Sequence, residues 1–158
     1  MKYIDNAVLL IIVGGDVISA LKEQARGQGL TDKIIFVSPL PFDELYQYTV
    51  NANIGLTIDK DTNINYRYSL PNKLFDYIQA RVPVLASPLI EIQKIINSYD
   101  IGDFIENHNP EHIALKIRGM LDDAVRMEKW QENLKFAASE LCWENEETAL
   151  INIYKGYA

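Results

Sequence analysis

Five short apolar, β-branched runs recur along the first two thirds of the chain, at residues 7–13 (AVLLIIV), 34–38 (IIFVS), 54–58 (IGLTI), 82–87 (VPVLAS) and 101–105 (IGDFI). Segments with helical periodicity separate them: residues 17–28 stopped by Gly29, 41–51 opened by Pro41 with Asp43 and Glu44 at the positive dipole end, 71–80, and 88–98. Strands alternating with helices build a parallel sheet from βαβ units. The pattern therefore predicts an α/β fold, a Rossmann-like doubly wound parallel sheet. The first run is apolar at every position, which predicts burial on both faces. Beyond Pro110 the periodicity is helical only, through residues 111–123, 124–142 and 144–157, with Leu150, Ile151 and Tyr154 marking an apolar stripe on the last helix. With no repeat, low-complexity tract or linker, the expectation is a single domain over residues 1–158 whose residues 124–158 form a C-terminal helical tail.

Composition narrows the partners. The chain has 158 residues, 48% hydrophobic and 23% charged, with a formal net charge of -7. Acids and bases are interspersed without a Lys/Arg block, so an extended phosphate backbone is repelled and nucleic acid is not expected as a partner. The single cysteine, Cys142, rules out an internal disulfide and a CxxC metal site, and it fits a reducing cytoplasm. No metal site is expected. The most apolar run is far shorter than the roughly 20 residues a spanning helix needs, so no membrane span is expected.

Three places carry candidate chemistry. Gly14, Gly15 and Asp16 follow the first strand directly, where glycine permits close backbone approach to a phosphate or sugar; a tight strand-to-helix turn is the equal alternative. Ser38, Pro39, Leu40 and Pro41 end the second strand in a stiff loop able to frame a flat ring, although a plain connection with proline at the first helical position accounts for it as well. The third place is the loop 59–69 (DKDTNINYRYS), long and polar where connections of about two to six residues are typical. It brings Tyr66, Arg67 and Tyr68 up to Leu70, Pro71, Asn72 and Lys73, where free amides at a helix start and a lysine meet a pyrophosphate. Asp76 lies one turn on and offers a carboxylate to two vicinal hydroxyls. His108 and His112 flank a helix start near Pro110 and read as solvent-exposed polar residues. Trp130, Trp143, Tyr154 and Tyr157 read as packing residues of the tail.

The segment SLPNKLFDYIQARVPVLAS (69–87) resembles the C-terminal, donor-binding half of a GT-B retaining glycosyltransferase of the glycosyl transferases group 1 family. LLIIVGGD, KIIFVSPLPFDELYQYTVNANIGL and WENEETALINIYKGY resemble further stretches of that half. The resemblance implies a nucleotide-sugar donor as substrate with no separate cofactor. Gly14 and Gly15 would face the sugar or phosphates, and Val37, Ser38, Pro39 and Leu40 would line the base pocket. The backbone of Ser69, Leu70, Pro71 and Asn72 would hold the pyrophosphate with help from Lys73, and Asp76 would bind the ribose diol. It implies glycosyl transfer, of the hexosyl type, in synthesis of polysaccharide or another glycoconjugate.

This chain departs from the family pattern in four ways. Tyr68 stands where the first of two acids eight positions apart is usual, and Arg81 where glycine is common. The acceptor-binding N-terminal half and the opening strand–helix unit of the donor half have no counterpart, so the expectation is an excised or naturally split fragment that transfers no sugar alone. The lost strand is central, so the remaining strands must close over a gap or borrow from a neighbour, with homo-oligomerisation through the incomplete sheet as one route. The competing class is a receiver-like, non-catalytic α/β module, since Asp16 and Asp59 end the first and third strands and Ser87 the fourth.

Overall fold

The computed structural model describes residues 1–155. Its elements run β1 (Leu9–Ile12), α1 (Ile18–Gly27), β2 (Ile34–Val37), α2 (Phe42–Thr49), β3 (Gly55–Thr57), α3 (Ile64–Tyr68), α4 (Asn72–Gln79), β4 (Val84–Ala86), α5 (Ile90–Tyr99), β5 (Gly102–Phe104), α6 (Pro110–Asp122), α7 (Ala124–Glu140) and α8 (Trp143–Lys155). Every strand pairing is parallel, in agreement with the predicted α/β class. Five strands and seven helices fall where the periodicity places them, with their described ends within two residues of the expected ones, the usual scatter of helix and strand termini. The eighth helix, α3, lies inside the long polar loop. The last helix is described to Lys155, so the expectation for Tyr157 lies outside the described residues.

The strands form two sheets. β1 pairs with β2, and β3, β4 and β5 form a separate ladder in that order. β1 and β3 each keep an edge with no ladder partner among the described residues, as do β2 and β5 at the other ends of the two sheets. α2 ties the smaller sheet to the rest: Tyr46 Oη donates to the Gln79 carbonyl of α4 at 3.4 Å.

Burial is uneven. β4 is covered on both sides, with Val84 and Ala86 packed against α4, α5 and α7 while Leu85 joins Ile105, Met120 and Trp130 on the opposite face. This is the alternation a strand imposes between two helical layers. β5 approaches β4 so closely that a Cβ at Gly102 would run into the Val84 carbonyl, so the glycine there is a packing requirement. β1 overturns the expectation of two-sided burial: Leu10 is 37% exposed and the flanking Val8 and Val13 are 56% and 42% exposed. Its apolarity is not matched by a cover, and Ala25 is the one buried residue of α1, the helix that follows it. The tail divides likewise. Trp130 is fully buried, whereas Trp143 and Tyr154 are 63% and 68% exposed, so the expectation that those two pack is also corrected.

Arg81 explains a departure noted in the sequence. Its φ of 59° lies in the left-handed region that glycine tolerates freely and that sets the Cβ of any other residue against the following carbonyl. The Arg81→Gly variant is expected to be about 1 kcal/mol more stable than the parent, the usual scale for relieving one left-handed residue. Urea unfolding followed by circular dichroism measures it; an unchanged or lower midpoint would count against the strain.

Candidate functional site

The carboxyl ends of the strands gather the candidate residues in two groups. At the mouth of the β1–β2 sheet, Gly14 and Pro39 are neighbours: a Cβ on Gly14 would come within 2.8 Å of the Pro39 ring. Gly15 turns the chain with φ 119° before α1 begins. The register Ile12↔Val37 sets Val37, Ser38, Pro39 and Leu40 beside this turn. Thus two stretches far apart in sequence frame one corner.

The second group sits at the mouth of the β3–β4–β5 sheet. Asn63 caps α3 by accepting from the Tyr66 amide at 3.0 Å, and Ser69 then leaves the helix in an extended conformation (φ -81°, ψ 149°). Pro71 opens α4 without a side-chain cap. The amides of Ser69, Leu70, Asn72 and Lys73 consequently find no acceptor among the described residues. Four free donors at a helix start attract an anion through their partial charges and the dipole. One turn on, Leu74 and Ile78 are fully buried and fix the face that α4 turns to the core. Asp76 is partly buried yet makes no hydrogen bond or ion pair among the described residues, and burial pushes its carboxyl above the usual range. A carboxylate kept half out of water without a partner is costly, and such costs concentrate at ligand sites.

The surroundings hold residues that sequence reasoning left aside. Lys73 Nζ does not stand free for phosphate; it lies 2.8 Å from Asp59 Oδ2. Thr57, fully buried, donates to the same Asp59 oxygen at 3.4 Å. His108 is half-buried, not solvent-exposed as expected. Its Nε2 is 3.1 Å from the Ile58 carbonyl and 3.3 Å from Ser87 Oγ. A carbonyl oxygen only accepts, so Nε2 carries the proton and pins the ends of β3 and β4 together. His112 accepts from the Glu106 amide at 2.9 Å and is structural too. A histidine in the short loop between the fifth strand and the next helix, just before the helix cap Asn109, was the available sign, because that loop leaves the sheet at the carboxyl ends of the strands.

No hydrogen bond among the described residues joins the two groups. Each is assembled by its own sheet, and the gap between the sheets separates them. What the family comparison adds is that both belong to one known framework, for the glycosyl transferases group 1 model matches residues 1–136. The chain belongs to the glycosyl transferases group 1 family. Among solved structures, the chain is similar to WaaG, a glycosyltransferase involved in lipopolysaccharide biosynthesis, at 18% identity and a TM-score of 0.68 over 85% of this chain and 34% of that one. It is also similar to sucrose-phosphate synthase from Thermosynechococcus elongatus, at 18% identity and a TM-score of 0.78 over 94% of this chain and 38% of that one. No curated protein sequence matches it. The chain thus spans little more than a third of the length of either structure. As a member of that family it has the GT-B-type α/β framework, and among its described residues no helix is long and apolar enough to cross a membrane.

Proposed function

We propose that this chain is the donor-binding half of a glycosyltransferase, holding a nucleotide-diphosphate sugar for hexosyl transfer in polysaccharide or other glycoconjugate synthesis. The observation that carries this reading is Asp76: a partly buried carboxylate with no partner among the described residues, one helical turn beyond four free amides. The amides take the diphosphate, whose charge grows as the sugar–phosphate bond breaks, and Asp76 accepts from the ribose diol. Stabilising the leaving diphosphate with fixed dipoles is the step this half contributes, because such dipoles need no reorganisation as charge develops. Gly14 and Gly15 face the sugar or phosphates, and Val37, Ser38, Pro39 and Leu40 line the base pocket. No cofactor beyond the donor is needed for this chemistry, and no catalytic base is assigned.

The acceptor and the rest of the catalytic apparatus belong in this proposal to a missing half. The unpaired edges of β1 and β3 and the exposed apolar residues Val8, Leu10 and Ile35 support it, since they form a surface with no cover of its own. A second copy of the chain joined through the incomplete sheet is the other way to cover it. The lone free thiol of Cys142 fits a cytoplasmic setting.

The test is titration of the chain with uridine, guanosine and adenosine diphosphates, followed by amide NMR. The expected result is that one nucleotide moves the amides of Ser69, Leu70, Asn72, Lys73 and Asp76 together, while acetyl phosphate with magnesium moves none of them and leaves Asp59 unlabelled. Shifts scattered over the surface, or phosphorylation of Asp59, would refute the donor site. Sugar transfer by the isolated chain in a donor-plus-acceptor assay would refute the dependence on another half.

A further inference from the structure

Two acids of the 59–69 loop neutralise the cations that flank the free amides, Arg67 before them and Lys73 after. Lys73 Nζ lies 2.8 Å from Asp59 Oδ2, with the two side chains 41% and 34% exposed. Arg67 Nε donates to both oxygens of Asp61 at 3.0 and 3.1 Å, with side chains 51% and 44% exposed. The Asp61 carboxylate is the chief reason the Arg67 guanidinium is held even more firmly protonated than usual. These four paired groups, with Lys60 between the two acids, fall within residues 59–73 and bracket the turn at Ser69, Leu70, Pro71 and Asn72 in sequence. An anion arriving there meets free N–H groups, while Lys73 and Arg67 are already paired and, among the described residues, only the exposed Lys60 of this stretch makes no ion pair.

We propose that Asp59 and Asp61 set the affinity of the donor site as resident anions, which a diphosphate must replace at Lys73 and Arg67. The inference rests on the nucleotide reading above and deepens it. Pairs exposed on both sides are held weakly, so a ligand with several anionic oxygens and four amides to meet exchanges them readily. The two acids do not leave alike. Asp59 is fixed from behind by Thr57 Oγ1 and follows Ile58, which His108 pins, so it stays close to the bound diphosphate and repels it. Asp61 lies in the exposed part of the loop and swings clear with it, so the 60–68 segment reorganises on binding while Asp59 and the strand ends hold still. Asp59 therefore weakens binding more than Asp61 does, and its charge screens the site against anions too small to engage all four amides.

Calorimetric titration with uridine, guanosine and adenosine diphosphates and with inorganic pyrophosphate tests this on the parent chain and on Asp59→Asn, Asp61→Asn and Asp32→Asn. Asp32 precedes β2 at the opposite mouth and controls for net charge alone. For whichever diphosphate the parent binds, affinity is expected to rise about three- to fivefold in Asp59→Asn and about twofold in Asp61→Asn, the range one exposed pair spans. Asp32→Asn should leave it unchanged. In the parent, where no variant has to fold, the Arg67 Nε–H resonance should move on binding as Asp61 is exchanged. Equal or weaker binding in Asp59→Asn, the same gain in Asp32→Asn, or a static Arg67 resonance in the bound state each overturns the inference and leaves the donor reading standing. If no diphosphate binds any of the four proteins, the donor reading falls and the inference with it.

Discussion

The Asp76→Asn variant is expected to bind nucleoside diphosphate at least about tenfold more weakly than the parent while melting at a higher temperature at pH 7. The binding loss follows from removing the charge from a pair of hydrogen bonds to the ribose hydroxyls; hydrogen bonds to a charged group are worth about 1.5–3 kcal/mol, which converts to roughly ten- to a hundredfold. The stability gain follows from the raised carboxyl. Burial disfavours the ionised form in the folded chain, so the native state holds its proton more tightly than the unfolded one. For an acid shifted upward, the stabilising contribution is present below the unfolded value and is lost as pH rises through the folded one. At pH 7 the parent carries that cost and the asparagine does not, so the gap in melting temperature should close as pH falls below about 4, the ordinary Asp range. Melting curves from pH 3 to 7 beside calorimetry measure both halves. A variant that loses binding and stability together would show that Asp76 serves the fold instead.

Trp130→Ala should show the largest stability loss of any single change in the tail, about 3–5 kcal/mol, the usual cost of emptying an aromatic site. Trp130 is fully buried between Leu85, Ile105 and Met120. Its Nε1 donates to Asp100 Oδ1 at 3.2 Å, and the Arg126 guanidinium lies 4.5 Å from its ring centre. Asp100 holds the left-handed end of α5 at φ 48° and accepts from Asn133 through its carbonyl at 2.8 Å, so the indole closes the turn that launches β5. Lys129 and then Trp130 hold the Asp100 carboxyl below the usual range, so this anchor is present at neutral pH and fades as pH falls below about 4. In a chain of this size the loss lowers the melting temperature by roughly 6–20 °C. Trp130→Phe, which keeps most of the volume and loses the N–H, should cost less; equal costs would place the energy in the hydrogen bond to Asp100.

The strands and most helices were legible because their periods differ by nearly a factor of two, and proline, glycine and early acids mark the helix ends. The segment 69–87 also disclosed the features on which the proposed donor site rests, since an uncapped proline start and an acid one turn on survive in the fold as free amides and a carboxylate unpartnered among the described residues. Other features needed the third dimension. Five residues, Ile64 to Tyr68, are too few to display a helical period, and Asn63 as cap was the only sign of α3. The burial of β1 was overestimated because apolar residues report what a strand prefers, not whether a neighbour arrives to cover it. Lys73 and Asp59 stand fourteen positions apart and meet only because β3 and α4 share one mouth. His108 contacts Ile58 from fifty positions away, a separation that no local pattern encodes.

The bare rims of β1 and β3 bear on how such a chain behaves at high concentration. Edge peptide groups with no ladder partner among the described residues, flanked at β1 by exposed Val8, Leu10 and Val13, are a template for pairing with any extended segment, which is the first step of aggregation. The lysines, prolines and bulges that usually blunt such rims are absent from the four residues of β1 and the three of β3. Dilution and a net charge of -7 keep molecules apart in solution, whereas salt that screens this charge removes that protection and favours precipitation.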